Sequence, residues 1–380
     1  MRGRSFLMGV RFESPEVRFV MLAGILFYSA PLPRSILGRL LFVCLSLATP
    51  FVHAFEPPLQ VAAVHSERMA AGPMLAITRA GERLVAVGLR GAILFSDDQG
   101  RSWSQAQVPV SVDLVAVAFA NATQGWAVGH GGVILHSDDA GATWQKQLDG
   151  LQASQLAIDF YTASAARVAD AAGYLEKEKR LAVDHETQPF LDVYFADELH
   201  GYVVGTFNRI FATEDGGRSW LPQMHLTNNP QEWHFYAVTG RNGQLYLSGE
   251  QGHVWRRDAQ SERFVSIDTP YNGTLFGVTA TEGEVYAYGM RGSFFRSADQ
   301  GQSWSRTTLP LGSNLMRVLP LGAQRLLVVA QSGEALLSDD GAQIFKPLRL
   351  SQPMPYYGAV LLGDSRLALV GALGIRVEDL

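Results

Sequence analysis

Cysteine is almost absent. The 380-residue chain has one, Cys44, which leaves no disulfide scaffold and no cysteine-rich zinc or iron–sulfur site. Charge is also scarce: charged residues make up 18% of the chain and the net charge is -5. With 47% hydrophobic residues beside it, that figure excludes intrinsic disorder. The two apolar runs near the start, 19–30 and 40–48, fall short of the ~20 residues of a comfortable membrane span. What is plentiful is glycine, 38 residues, together with 7 tryptophans, and the glycines follow no collagen period.

The small net charge hides an uneven distribution. Residues 1–54 hold six arginines, no lysine and two acids, a charge of +4, so the remainder carries -9. Arg34 and Arg39 precede the apolar run Leu40 to Ala48, and small residues follow at Val52-His53-Ala54. A positive flank, a short apolar core and a small exit residue predict an export signal cleaved after Ala54. An uncleaved N-terminal anchor is the alternative. Either the leader is long or translation starts downstream, at Met21. The mature chain, 55–380, then lacks cysteine altogether, and its negative charge opposes nucleic-acid binding.

One octapeptide recurs. It stands at Ser96 to Trp103, Ser137 to Trp144, Thr213 to Trp220 and Ser297 to Trp304, with a decayed copy from Ser338 to Phe345. A weaker trace runs from Arg257-Asp258 to Phe264. Start points are 41, 76, 84 and 41 residues apart, a period near 42 with about 35 residues inserted between the second and third copies. Each copy is preceded by short β-branched and aromatic runs separated by glycine turns, as in Leu114 to Phe119, Gly125 to Gly129 and Val133 to His136. Such a unit is the size of one four-stranded propeller blade.

Inner strands beginning near Met74, Leu114, Leu191, Phe235, Leu275, Leu315 and Tyr357 predict an all-β, seven-bladed β-propeller of four-stranded antiparallel blades, rather than six or eight. Leu59 to Val64 is expected to complete the seventh blade, which reaches the C-terminus without a fourth strand. Within each box the acid accepts backbone N–H groups, glycine adopts the left-handed conformation and tryptophan packs between blades. The structural set is therefore Asp98, Trp103, Asp139, Trp144, Asp215, Trp220, Asp299 and Trp304. Spread over different blades, the acids cannot converge on one calcium or catalytic site. No cofactor or metal site is expected, the nine histidines being scattered.

Ser-x-Asp-x-Gly-x-Ser/Thr-Trp is the Asp-box, or bacterial neuraminidase repeat. With the preceding Gly125-Trp126-Ala127-Val128-Gly129 to Ile134 pattern, the chain resembles the photosystem II stability/assembly factor family. The resemblance spans 74–380 apart from the insertion and implies a non-enzymatic seven-bladed propeller that escorts membrane-protein complexes during assembly. Relatives in non-photosynthetic bacteria imply export and partnership with resistance-nodulation-division (RND) type transporters. The long insertion departs from the photosynthetic members.

The boxes join third to fourth strands, so they and the glycine turns occupy opposite faces. The glycine-turn residues Arg90, His130, Asn208, Gln251, Arg291 and Gln331 form a candidate partner surface for acidic groups, with Trp233 nearby. Residues 151–187 should form two helices divided at Gly173, with Leu156, Phe160, Ala163 and Arg167, or Leu175, Lys179 and Ala182, sharing faces. The pair either binds the partner or caps the channel, and its removal should leave the ring intact. The leading reading is a non-catalytic assembly partner, peripheral to the membrane. The alternative is a sialidase-like glycoside hydrolase, which needs paired carboxylates or a tyrosine nucleophile and, for sialidases, three arginines. Arg90 and Arg291 fall there by register, Arg317 and Arg209 less clearly.

Overall fold

In the second repeat, Leu114–Phe119, Gly125–Gly129, Ile134–Ser137 and Gln145–Leu148 pair in sequence order as an antiparallel meander. The same meander recurs around the ring. The computed structural model describes residues 56–183 and 188–380, and the export signal with its cleavage after Ala54 lies outside the described residues. Seven sheets form, with inner strands Met74–Ala80, Leu114–Phe119, Phe190–Phe195, Phe235–Arg241, Leu275–Ala280, Leu315–Pro320 and Tyr356–Leu362. Six sheets have four strands and the seventh has three.

Two recurrent features shape every blade. The inner strand opens with a bulge, where its pairing to the second strand shifts between its first and third residues, as at Leu114/Ala116. The second strand ends on a glycine in six blades, because a side chain there would strike the carbonyl ahead of the inner strand. At Gly129 an added Cβ would lie 2.0 Å from the Asp113 oxygen. Blade six carries Ala330 at this position.

Blade-to-blade packing supplies the core. Trp126 of blade two stacks on Phe195 of blade three at 3.4 Å, and both are buried. Each fully buried Leu, Val or Phe side chain contributes about 1.5–3 kcal/mol. The ring closes the same way: Met74, Leu84 and Leu94 of blade one share a cluster with Leu362, Ala368 and Val370 of blade seven.

The expected closing strand is not there. Leu59 to Val64 runs instead along the exit of blade one, where Ala63 N–H donates to the Val108 carbonyl (3.0 Å) and Ser111 N–H to the Pro58 carbonyl (2.8 Å). Leu59 is buried against Gly131. Leu59 and Ala63 of this segment pack in the blade-one cluster with Val108 and Val110 while Val64 is exposed, and the segment is thereby committed to blade one rather than blade seven.

The insertion forms helices α1 (Gly150–Ala163) and α2 (Ala171–Val183). Asp149 caps α1: its side chain accepts from Gln152 N–H while the Gln152 amide reaches back to Asp149 N–H. The break falls at 164–170, not at Gly173, which lies inside α2. An added Cβ at Gly173 would sit 2.6 Å from the Asp170 carboxylate, so the glycine makes room for that acid.

Candidate interaction face and channel

The boxes come first, because they exclude one face. Ser96 Oγ donates to Asp98 Oδ1 (2.8 Å), and Ser102 donates its N–H to Oδ1 (2.9 Å) and its hydroxyl to Oδ2 (2.6 Å). Asp139 with Thr143, Asp215 with Ser219, and Asp299 with Ser303 repeat the pattern. The Ser102 hydroxyl and N–H hold the Asp98 carboxyl down to about 2. At Asp139 burial alone would raise the pKa, but the bonds from Thr143 and Ser137 outweigh it and lower it. Trp103 and Trp144 donate their indole N–H to Gly100 and Gly141. In all four clear boxes the acid is satisfied within its own turn, whereas the Trp220 and Trp304 indole N–H groups are buried without an acceptor. Among the described residues, no three His, Cys, Asp or Glu side chains gather as a metal site.

On the opposite face, the third residue of each glycine turn from the second strand's end forms the tip: Arg90, Gly131, Phe207, Gln251, Arg291, Ser332 and Leu373. Arg90, Phe207, Gln251 and Arg291 are exposed there with φ of 54–55°. Four non-glycine residues in left-handed backbone at one register position mark a turn whose geometry outweighs their cost. Predicted residues His130 and Gln331 are also exposed but stand one position earlier. The Gln331 amide oxygen accepts from Asn314 Nδ2 at 2.8 Å.

Asn208 needs correction. It is buried, 2% exposed, at the position that is glycine in the other turns. Asparagine tolerates the left-handed conformation there (φ 62°), and its amide is consumed internally. Its oxygen accepts from Thr227 Oγ1 (2.7 Å) and Asn229 Nδ2 (3.0 Å). Trp233 is half-buried and stacked on His253 at 4.2 Å, its carbonyl accepting from Asn229. The tip of blade three is therefore Phe207, which sequence reasoning missed because Asn208 looked like the variable turn residue.

Arg209 does not face the channel. Wholly buried, it pairs with Glu178 of α2 (3.3 Å), donates to Ser154 Oγ of α1 (3.4 Å), and lies over Phe190 and Phe211. Burial pushes the Glu178 carboxyl upward. Beside it the buried Lys177 ammonium donates to the Phe207 carbonyl (2.5 Å) and pairs with Glu232 (3.0 Å). The buried face of α1 is Ala153, Ser154, Ala157 and Tyr161, whereas Leu156, Ala163 and Arg167 are exposed. On α2, Lys179 is exposed and Leu175 and Ala182 are half-buried. The helices pack on the outside of blade three, against Leu221-Pro222 and Met224–Leu226, and neither lines the channel. Deleting 151–187 would strip Arg209 of Glu178 and Ser154, which argues against a neutral deletion.

The central channel is a cavity of about 680 Å³. The second residue of every inner strand lines it near the glycine-turn mouth: Leu75, Val115, Leu191, Tyr236, Phe276, Met316 and Tyr357. All seven are apolar or aromatic, and all are half-buried. The third residue of each strand also lines it, and five of these are alanine or glycine. The other two are Asp192 of blade three and Arg317 of blade six, the sole charged groups lining the cavity among the described residues. Val193 N–H donates to Asp192 Oδ1 (2.9 Å) and Val238 N–H to Oδ2 (2.8 Å). Burial nevertheless raises Asp192 to about 6. Arg317 is exposed to the channel water, feels the Asp192 charge, and has no hydrogen-bond acceptor among the described residues. Rings connect tip to channel: Phe207 on His234 (4.7 Å), His234 near Tyr236 (6.3 Å), Tyr236 on Phe276 (5.6 Å).

Comparison with known proteins follows this geometry. The sequence profile of the family described as Photosynthesis system II assembly factor YCF48 matches residues 75–156 and 175–255. Among solved structures, a YCF48 bound to D1 peptide shares 14% identity at a TM-score of 0.61, covering 84% of this chain and 99% of that one. YCF48 from Cyanidioschyzon merolae shares 13% at 0.58, covering 82% and 96%. A GH74 xyloglucanase from Xanthomonas campestris shares 13% at 0.57, covering 81% of this chain and 52% of its own. No curated protein matches in sequence.

Proposed function

We propose that this chain, a seven-bladed propeller of the YCF48 assembly-factor type, is an exported, non-catalytic interaction module that holds a segment of an envelope or membrane protein complex on its glycine-turn face. An RND-type transporter is the partner class that the bacterial resemblance suggests. The observation that carries the reading is the face itself. Exposed Arg90, Arg291, Gln251, Phe207 and Leu373 ring the mouth of a largely apolar channel, while the box acids of the opposite face are bonded within their own turns. Strained tips presenting arginine and phenylalanine suit a protein surface. The relative bound to a D1 peptide shows that the fold can hold a peptide. No helix of the described residues is long and apolar enough to cross a membrane, which fits a peripheral partner.

The hydrolase reading is weaker. Among the described residues Asp192 is the sole carboxylate lining the channel, and both its oxygens already accept backbone N–H groups. Glycoside hydrolysis ordinarily uses two carboxyl groups about 5–10 Å apart. Of the arginines a sialidase would need, Arg209 is buried in an ion pair and Arg317 alone lines the channel.

The test is affinity purification of the full chain from membranes, with mass spectrometry of what co-elutes. A variant combining Arg90→Glu, Arg291→Glu and Phe207→Ser should lose the proteins that co-elute with the unaltered chain. An unchanged set overturns the reading. Amino-terminal sequencing of the secreted form tests cleavage after Ala54, and a polysaccharide and sialoside panel tests the hydrolase.

A further inference from the structure

The channel carries an inference that rests on the docking face but goes deeper than it. Seven blades contribute seven apolar or aromatic residues at one register position, a complete collar in contact with water. One blade with leucine there would be unremarkable, but a collar of five apolar side chains and two tyrosine rings, with no charged or amide side chain among them, presents a concave, largely apolar surface where a client's apolar side chains can be desolvated. At the next register position the wall is small residues, which leave the lumen open, with Arg317 standing on it. Its guanidinium has five N–H donors and no acceptor among the described residues, and the nearby carboxylate, Asp192, is already held by Val193 and Val238.

An unpaired guanidinium behind an apolar collar selects a ligand with the complementary order: an anionic group at the end of a short reach, flanked by apolar groups. A carboxylate fits the guanidinium fork bidentately. The aromatic path from Phe207 through His234 and Tyr236 to Phe276 extends the apolar surface from the rim to the channel. A segment of chain spans such a path, whereas a single amphiphile would leave the tips unused. The exposed Arg90 and Arg291 add positive charge around the same mouth.

We propose that the channel is the specificity site of the face: an Asp or Glu side chain on an apolar client segment passes the collar and pairs with Arg317. Arg317 supplies charge selection, and Tyr236, Phe276 and Tyr357 supply the stacking surface.

The probe is a fluorescein-labelled, end-capped peptide Leu-Phe-Glu-Phe-Leu, with its glutamine counterpart and laurate, titrated by fluorescence polarisation against the full-length protein. The glutamate peptide should bind about tenfold or more tightly than the glutamine one, the difference a charge-assisted bond makes. Arg317→Met should erase that gap, and Arg317→Lys should restore part of it. Asp192→Asn should widen the gap by removing the competing negative charge. Thermal unfolding of each variant checks that the fold is retained. Equal binding of the two peptides, no binding of either, or a gap that survives Arg317→Met overturns the proposal. Laurate binding that outcompetes the glutamate peptide also overturns it, in favour of a lipid. Membrane capture lost in the tip variant but kept in Arg317→Met would sink this inference and leave the docking face standing.

Discussion

Replacing Asp192 by asparagine tests the electrostatics of the channel through stability alone. Burial raises the native carboxyl from 3.8 to about 6, against the pull of two N–H donors and Arg317. A carboxyl raised on folding takes up a proton more readily in the native state. Its stabilising contribution is therefore full below the unfolded value and is lost as pH rises through about 6. Over the whole window the shift corresponds to roughly 3 kcal/mol. At about pH 5 the native group is mostly protonated and the unfolded group mostly ionised, so the part lost between pH 5 and 7.5 is about 1.4 kcal/mol. Channel water screens the charge, which makes this an upper figure. Asparagine cannot titrate. It leaves one of the two N–H donors facing an amide, a cost of about 1 kcal/mol that does not vary with pH. Urea unfolding at both pH values, for the unaltered chain and the variant, should show their stability difference changing by about 1 kcal/mol. Arg317→Met should enlarge the change, because the Arg317 charge lowers the Asp192 pKa. Parallel pH profiles for the two proteins would refute the placement of Asp192 in a poorly solvated wall.

Three further substitutions probe the scaffold. Gly129→Ala sets a methyl 2.0 Å from the Asp113 carbonyl oxygen and should destabilise by about 3 kcal/mol or more, read as a lowered urea midpoint. Asp139→Ala removes the acceptor for Ser137, Thr143 N–H and the Thr143 hydroxyl and, at an exposed turn, should cost about 1–2 kcal/mol. Because Asp139 titrates below its usual range, that contribution holds at neutral pH and fades only as pH falls through its lowered value, and chelators should not reproduce it. Ala157→Leu overpacks the buried face of α1, should cost about 1–3 kcal/mol, and should expose the 164–170 connection to limited proteolysis before the ring unfolds.

The ring was readable because its rules are local. Box spacing and the short β-branched and aromatic runs before each box placed five inner strands at their observed first residue, and Leu191 and Tyr357 one residue late. The seventh blade was misjudged because Leu59 to Val64 has strand composition, while its partner depended on which apolar surface was nearest in space. The turn tips were pooled one position out of register in three turns: Asn208 fills the glycine slot of blade three, while His130 and Gln331 stand one residue before the small tips Gly131 and Ser332. The helices were readable as helices but not as faces. Leu156 and Phe160 suggested a bulky apolar stripe, yet α1 approaches through Ala153, Ser154 and Ala157, since small residues let a helix lie close. Burial of Lys177 and Glu178 had no local signal, because their partners are distant in sequence: Arg209 for Glu178, and Glu232 with the Phe207 carbonyl for Lys177. The collar was in the sequence all along, as an apolar or aromatic second residue in each of seven strands, and became meaningful only when closure brought those strands to one mouth.

The insertion then has a role that neither the client-binding nor the channel-capping expectation described. Its buried charges are expensive to bury, and a well-packed apolar replacement of such a pair is often as stable. Stability alone does not account for them. Geometry offers an account: Lys177 donates to the carbonyl of Phe207, and Arg209 follows the same turn directly. Asn208 between them is held by Thr227 and Asn229. Three consecutive residues of one turn are thus fixed from α2, α1 and the exit of blade three. Phe207 is the exposed tip that begins the aromatic path to the channel, and it sits in left-handed backbone that is unfavourable for a ring-bearing residue. Anchoring on all sides is what lets such a residue stay in place. Neither helix lines the channel, but α1 starts against the His130–Gly132 turn of blade two; their contribution to recognition is to hold the blade-three edge of the face, with this neighbouring turn, rigid.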